Sequence, residues 1–434
     1  MEVKNQKIVK YMKRLMILFI LFLSFGLEVF PQLTIEECQE KARNNYPLIK
    51  KYNLIEQSKN YNLSNAQKVY LPQLQVNAKA TYQSDVVKIP IQIPGIDIPA
   101  LHKDQYIATA EANQLLWDGG ITQSQKRIIQ ANSEVETKQL EVELYAIEDR
   151  VNQLFFGILM FDAQLEQNQI FSDELERNRT QIVSYIENGI ANTVDLDAVK
   201  VEQLNVKQLR IQLQATRAAY VDMLAIMIGN ALDNSVSLAK PKIPIIASQS
   251  LNEIKINRPE LQLFDAQKKL FDSQKNLIRS GYMPKLGLFL QGGIGRPGLN
   301  MLSNAFDPFY IGGVRMTWNF GALYTQKNDL QKIEVNKNLV NTQRDLFLYN
   351  IRLTESRENK DIQRIRYLMK DDEEIISLRE NIRKAAEAKV ANGTMTITDL
   401  LREISREDVA RQAKAAHEID LLIAVYSLKN TRGN

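Results

Sequence analysis

The sequence predicts a mixed α and β chain in which very long helices alternate with pairs of short strands, the whole pattern occurring twice. Three observations carry that expectation. Prolines are absent between Pro99 and Pro241 and again after Pro308, leaving long stretches without breakers. Segments of about ten residues alternate apolar and polar side chains with a period of two. Short landmarks also recur in the same order in the two halves of the chain.

The proline-free stretches are rich in Gln, Glu, Lys, Leu and Ala, which favour helix. In the first, Leu140, Leu144, Ile147, Val151, Leu154, Ile158, Phe161 and Leu165 step by alternating fours and threes. That stripe is a heptad seam and calls for helical partners. From Gly120 to Gly189 is 69 positions. A straight helix over that stretch reaches roughly 100 Å, longer than a compact domain needs. A helical bundle or an ordinary coiled coil would show the same seam.

The landmarks outline a duplicated module. Asn45-Tyr46-Pro47 recurs as Asn257-Arg258-Pro259 and Tyr70-Leu71-Pro72 as Tyr282-Met283-Pro284, both at an offset of 212. Trp117-Asp118-Gly119-Gly120 recurs as Trp318-Asn319-Phe320-Gly321 at an offset of 201. Asn188-Gly189 with Asp195-Leu196 recurs as Asn392-Gly393 with Asp399-Leu400 at an offset of 204. Each module reads as helix, strand, strand, long helix, tight turn, shorter helix. Pro47 and Pro259 suit a first helical turn. Gly189 and Gly393 suit left-handed helix ends. Asn192 or Thr193, and Thr396 or Thr398, can cap the returning helices. The expected boundaries are residues 33–232 for the first repeat, 233–257 for a linker and 258–434 for the second repeat.

Between Pro72 and Gln83 the alternation is nearly strict, with Leu74, Val76, Ala78, Ala80 and Tyr82 on one face. Its partner runs from Tyr106 through Ala108, Ala110 and Ala112 to Trp117. In the second module Leu286, Leu288 and Leu290 precede Val314, Met316, Trp318 and Phe320. Period two over about ten residues with aromatic ends matches lipid-facing barrel strands. A small antiparallel sheet in a soluble domain alternates in the same way. Four strands cannot close a membrane barrel, so strands that span a membrane must pair between chains, most simply in a ring with four strands per protomer.

Composition narrows the function classes. The 434 residues carry 55 Lys+Arg against 51 Asp+Glu, a net charge of +4 that does not suggest a nucleic-acid binder. One cysteine, Cys38, excludes an intramolecular disulfide framework, and two histidines leave little for metal or acid–base chemistry. Lys4, Lys7, Lys10, Lys13 and Arg14 precede the apolar run Leu15 to Leu23, the pattern of an export signal over residues 1–32. That segment contributes +3, so most of the basicity belongs to it. Downstream, Ile419 to Leu428 is the best apolar candidate and is too short to span a membrane as a helix.

With these features the chain resembles the TolC-like outer-membrane efflux protein family, over essentially all of the mature length. The most specific elements are Tyr70-Leu71-Pro72-Gln73-Leu74, Leu115-Leu116-Trp117-Asp118-Gly119-Gly120, and the tips Asn188 to Asp195 and Asn392 to Asp399. Arg258-Pro259-Glu260-Leu261 and Tyr282-Met283-Pro284-Lys285-Leu286 are similar too. The resemblance implies a homotrimer: a coiled-coil helical barrel crossing the periplasm, and four strands per protomer completing one twelve-stranded β-barrel in the outer membrane of a Gram-negative bacterium. It also implies two partners, a periplasmic adaptor protein and an inner-membrane transporter.

The resemblance further implies acidic rings beyond the tip turns that close the periplasmic end. Asp195 and Asp399 each lie six residues after a tip glycine. One turn further on, acidic in the best-known member, stand Ala198 and Arg402; Asp197 and Glu403 are the nearby substitutes. Three carboxylates around a threefold axis would repel one another and attract cations. A carboxylate in a helix's first turn is also favoured simply by the dipole. Gly189, Gly393, Thr193 and Thr396 are the expected adaptor contacts at the tips.

Other motifs carry less. Gly293-Ile294-Gly295-Arg296-Pro297-Gly298 matches GxGxxG, but Asp307-Pro308 and the lack of an amphipathic stripe after it argue for a flexible loop instead. Asp371-Asp372-Glu373-Glu374 reads as a solvated helix face. The apolar segment Val86 to His102 could fold over the outer mouth. No nucleophile–base pair, metal cluster or cofactor motif stands out, so an enzyme is the weakest class. A passive exit duct for an exporter leads, and a soluble periplasmic coiled-coil adaptor or tether is the alternative.

Overall fold

The computed structural model describes residues 32–87, 101–189, 191–242 and 255–433. The expected export signal and most of the segment Val86 to His102 lie outside them. The helices are α1 (Ile35–Asn45), α2 (Lys51–Gln67), α3 (Ile121–Glu187), α4 (Thr193–Ile228), α5 (Pro259–Gly281), α6 (Gln326–Ala391) and α7 (Ile397–Arg432). The strands are β1 (Gln73–Tyr82), β2 (Asp104–Trp117), β3 (Lys285–Arg296) and β4 (Asp307–Thr317). No helix among the described residues is long and apolar enough to cross a membrane. The chain divides into two compact units, and the long helices α3, α6 and α7 contribute to both.

One unit comprises residues 1–45, 150–245 and 365–423. Four helices meet in its core through Leu175 and Ile182 of α3, Val199 and Val206 of α4, Val390 of α6, and Leu400 and Ile404 of α7. Helix α1 seals the end of α4. Asn45 Nδ2 donates to the carbonyls of Ile226 and Met227 at 3.1 Å each, satisfying acceptors that a helix terminus leaves free. Cys38 is fully buried in α1, and burial pushes its thiol up to about 12, so it is an inert packing residue.

In the same unit Asp371, Glu373 and Glu374 are exposed, as a solvated face requires, and Asp372 alone departs from that reading. Asp372 is buried against His417 Nδ1 at 2.9 Å, and Glu373 pairs with Lys414, so two of the four carboxylates clasp α6 to α7. Among the described residues no group of three or more potential ligands could hold a metal ion.

The other unit comprises residues 46–149, 246–364 and 424–434. Its four strands form one antiparallel sheet in the order β1-β2-β3-β4. The strands hold ten to fourteen residues, a length suited to crossing a bilayer at a tilt. Strand β3 runs further than expected: Gly293 to Arg296 belong to the ladder, and only Pro297 to Phe306 connect to β4. Here glycine is required by close approach, since a Cβ on Gly293 would meet the Ala108 carbonyl oxygen at 2.7 Å and Thr109 Cγ2 at 2.9 Å. No helix begins after these glycines, which removes the dinucleotide-binding arrangement that the motif needs.

Candidate functional sites at the helix tips and the sheet

The two tip turns are built alike. Gly189 takes φ 74° and Gly393 φ 67°, conformations that an L side chain resists. Beside them Asn188 and Asn392 fold back on the preceding turn, each Nδ2 donating at 2.7 Å to the carbonyl of Ser184 or Ala388, which also accepts the same residue's amide. A Cβ on either glycine would meet nothing within 4 Å, so these turns are open surface. Thr193 and Thr396 are exposed there as well.

Two of the aspartates predicted for the gate, Asp195 and Asp399, also hold a helix start. Asp195 forms a capping box with Asn192, exchanging two hydrogen bonds at 3.1 Å. Asp399 accepts from Thr396 Oγ1 at 2.7 Å, and the same hydroxyl accepts from the Asp399 amide at 3.1 Å. Asn192 and Thr396 are therefore the caps. Arg402 lies 3.1 Å from Asp399, and Asp197 lies 3.3 Å from Lys200. Exposed pairs of this kind contribute little to stability. They do change the charge: Asp399 is offset within its own chain, whereas Asp195 has no cationic neighbour of that kind among the described ion pairs.

A buried charge cluster joins α3, α6 and α7 in this unit. Arg383 Nε reaches Glu407 at 2.7 Å and Glu174 at 3.1 Å, and Arg411 reaches Glu407 at 2.6 Å. Beside it Asp408 accepts from Gln412 at 2.6 Å. Burial, reinforced by Glu174 and Glu407 and opposed by Gln412 and Arg411, pushes the Asp408 carboxyl up to about 7. Sequence reasoning did not find this cluster, because Arg383 meets Glu407, 24 positions away, and Glu174 on a third helix.

In the sheet, register sorts the side chains by parity. One face carries the rows Leu74–Ala112–Leu290–Gly312, Val76–Ala110–Gly292–Tyr310 and Ala78–Ala108–Ile294–Pro308. It is apolar across all four strands, yet Leu74 is 81% and Val76 78% exposed. The other face carries Gln75–Glu111–Gln291–Ile311 and Gln73–Asn113–Phe289–Gly313, with Arg315 beside them. Arg315 reaches Glu111 at 3.3 Å and Asn113 at 3.4 Å, and stacks over the Phe289 ring at 4.5 Å. Neither β1 nor β4 has a second strand neighbour among the described residues, so both edges offer unpaired backbone groups.

No family model and no curated protein matches the sequence. Solved structures do match. The outer membrane protein VceC of Vibrio cholerae superposes with a TM-score of 0.62 at 13% identity, covering 92% of this chain and 94% of that one. The CmeC outer membrane channel of Campylobacter jejuni gives 0.61 at 13% identity, covering 92% and 85%. The open-state MtrE outer membrane channel of Neisseria gonorrhoeae gives 0.62 at 12% identity, covering 92% and 89%. The chain has the outer membrane channel fold.

Within that fold, the junctions from strand to long helix are held by a tyrosine–aspartate device that sequence reasoning missed. Asp118, only 3% exposed, accepts from Tyr70 Oη at 3.1 Å, from the Gly120 amide at 2.9 Å and from the Thr122 amide at 2.6 Å. Burial alone would push its carboxyl up. The bonds from Thr122, Gly120 and Tyr70 outweigh burial and hold it below the usual carboxylate range. Near the start of α6 Tyr282 Oη donates to Asp329 at 3.0 Å. The tyrosines were already paired as landmarks. Their acceptors were not, because Asn319 occupies the place of Asp118 and the acid sits inside α6 instead.

Proposed function

We propose that this chain is the outer-membrane exit duct of a tripartite efflux or type I secretion system, passively conducting cargo delivered by an inner-membrane transporter. The observation that carries the proposal is the sheet: one apolar face exposed across four strands, and two edges without partners among the described residues. A bilayer leaves no water to satisfy such edges, so three chains close them into a twelve-stranded barrel with the apolar face toward lipid. Helix α6 supports the same assembly. Leu339, Leu346 and Leu353 repeat at heptad spacing and are each more than half exposed, a seam ready for a neighbouring copy. The likeness to outer membrane channels supports the location.

In this reading residues 1–32 direct export, residues 33–232 and 258–434 are two copies of one ancestral module, and 233–257 link them. The helices form the periplasmic tunnel. Asp195 and Asp399, with Asp197 and Arg402 beside them, surround its closed end, and the exposed turns at Gly189, Gly393, Thr193 and Thr396 meet the adaptor. No catalytic step or cofactor is involved. Membrane fractionation tests the proposal: the protein should resist a high-salt wash, require detergent and migrate as a trimer. Release by salt as a monomer would favour a soluble periplasmic adaptor or tether.

A further inference from the structure

The polar face of the sheet is not electrically neutral where it meets the helices. Lys285 opens β3 and pairs with Thr317 at the end of β4; Arg315 lies two residues away on the same face. Both line a cleft of about 260 Å³ whose accessible wall is largely apolar, with Val69 and Leu115 among its lining, and to which Gln73, Asn113 and Thr317 add polar groups beside Gly287. Glycine suits position 287, since a Cβ would sit tightly at 3.0 Å from the Gln114 carbonyl oxygen. Arg315 shares its charge with Glu111. Lys285 is exposed and makes no ion pair or hydrogen bond among the described residues. Each cleft thus holds two cations against one carboxylate. It combines a guanidinium fork, a free ammonium and amide donors, the groups that bind carboxylate and phosphate oxygens.

We infer that this cleft is an anion-binding station on the duct wall, formed by Lys285 and Arg315 and suited to solutes bearing a carboxylate or phosphate group. The inference rests on the reading of the chain as a duct. Three chains would place six cations and three Glu111 carboxylates around one lumen. Low-dielectric walls focus such a field and raise the local anion concentration. Cargo bearing negative charge is then concentrated at the point where the helical tunnel passes into the strands. The wall also counters the tip aspartates, which attract cations instead.

The test uses the purified full chain in planar bilayers. Reversal potentials are read across a KCl gradient, and current block is read with added inorganic pyrophosphate. Lys285→Gln and Lys285→Glu are the informative variants, because the side chain has no partner whose loss would disturb folding. Lys285→Glu should lower the anion-to-cation permeability ratio by roughly threefold or more, and Lys285→Gln should raise the half-blocking pyrophosphate concentration by about tenfold. Arg315→Gln should shift the ratio in the same direction while exposing Glu111. Channels that open normally with ratio and block unchanged in the Lys285 variants would overturn the anion station alone. A wild-type protein that forms no channels would overturn the duct reading itself.

Discussion

Val76 and Asn77 are neighbours in β1 with opposite fates if the apolar face meets lipid. Val76 shares its row with Ala110, Gly292 and Tyr310, near the middle of the strand, and is 78% exposed on the single chain. Asn77 shares its row with Thr109 and Gly293 on the polar face. An arginine at the midplane of a lipid-facing strand costs about 2–4 kcal/mol. That is roughly 30- to 1000-fold in the assembly equilibrium. The same substitution at an exposed site facing water costs about 0.5 kcal/mol or less. Val76→Arg should therefore deplete the heat-resistant oligomer from the outer-membrane fraction, while Asn77→Arg should leave it near the wild-type level. Quantitative gels of unheated and heated membrane extracts read both. Equal yields for the two variants would refute the assignment of the apolar face to lipid.

Other perturbations probe the junctions and the buried charges. Gly119 has φ 74° and a Cβ there would stand 2.4 Å from Met283 Cβ, so Gly119→Ala should cost about 2–4 kcal/mol from strain and overpacking. Gly189 has the same φ but open space, so Gly189→Ala should cost only about 1–2 kcal/mol; denaturant midpoints in detergent compare them. Asp118→Asn should lose about 1–3 kcal/mol near neutral pH by weakening bonds to a charged acceptor. A carboxyl held low in the fold contributes fully above its unfolded pKa, so the difference from wild type should begin to shrink as pH falls through about 4 and vanish only below the depressed folded value. Asp408 runs the other way. Its folded carboxyl stays protonated to about 7, so wild-type stability falls as pH rises from roughly 4 toward that value. Asp408→Asn should match wild type at low pH and melt several degrees higher at pH 8.

Much of this architecture is legible in the residues because its causes are local. Proline positions, the asparagine–glycine turns and Asn192 or Thr396 as caps depend on a few neighbouring backbone groups. The strands follow from period two, and β1 begins and ends within a residue of its expected limits. The heptad seam is legible only in part. Leu140, Leu144, Ile147, Val151 and Ile158 are buried, but Phe155, Phe156 and Leu159 are buried where Leu154, Phe161 and Leu165 are only half-buried. A helix of 3.6 residues per turn drifts from a seven-residue repeat, and over 67 residues the buried stripe rotates.

What was not legible depends on distant partners. Asp372 turns inward because His417 lies 45 positions away, and Arg383 gathers carboxylates from two other helices. Gly293 and Gly295 looked like punctuation because their reason is a neighbouring strand that only the register reveals. The tip residues show a further limit: Asp195 and Asp399 have the same capping geometry in one chain whether or not three copies bring them together. Parity within the sheet is the signal that could have found Lys285 and Arg315, since both fall opposite Leu286, Leu288 and Leu290.

Closure of the sheet between chains is the central claim, and disulfide scanning of its edges tests it most directly. With Cys38→Ser as background, cysteine pairs are introduced along β1 at Gln75 and Asn77 and along β4 at Phe309, Ile311 and Gly313. Bridging requires Cα atoms within about 7 Å. The account predicts that in-register pairs oxidise only between chains, giving linked dimers and trimers and nothing larger on a non-reducing gel. Monomers for every pair, or ladders extending beyond three chains, would contradict it.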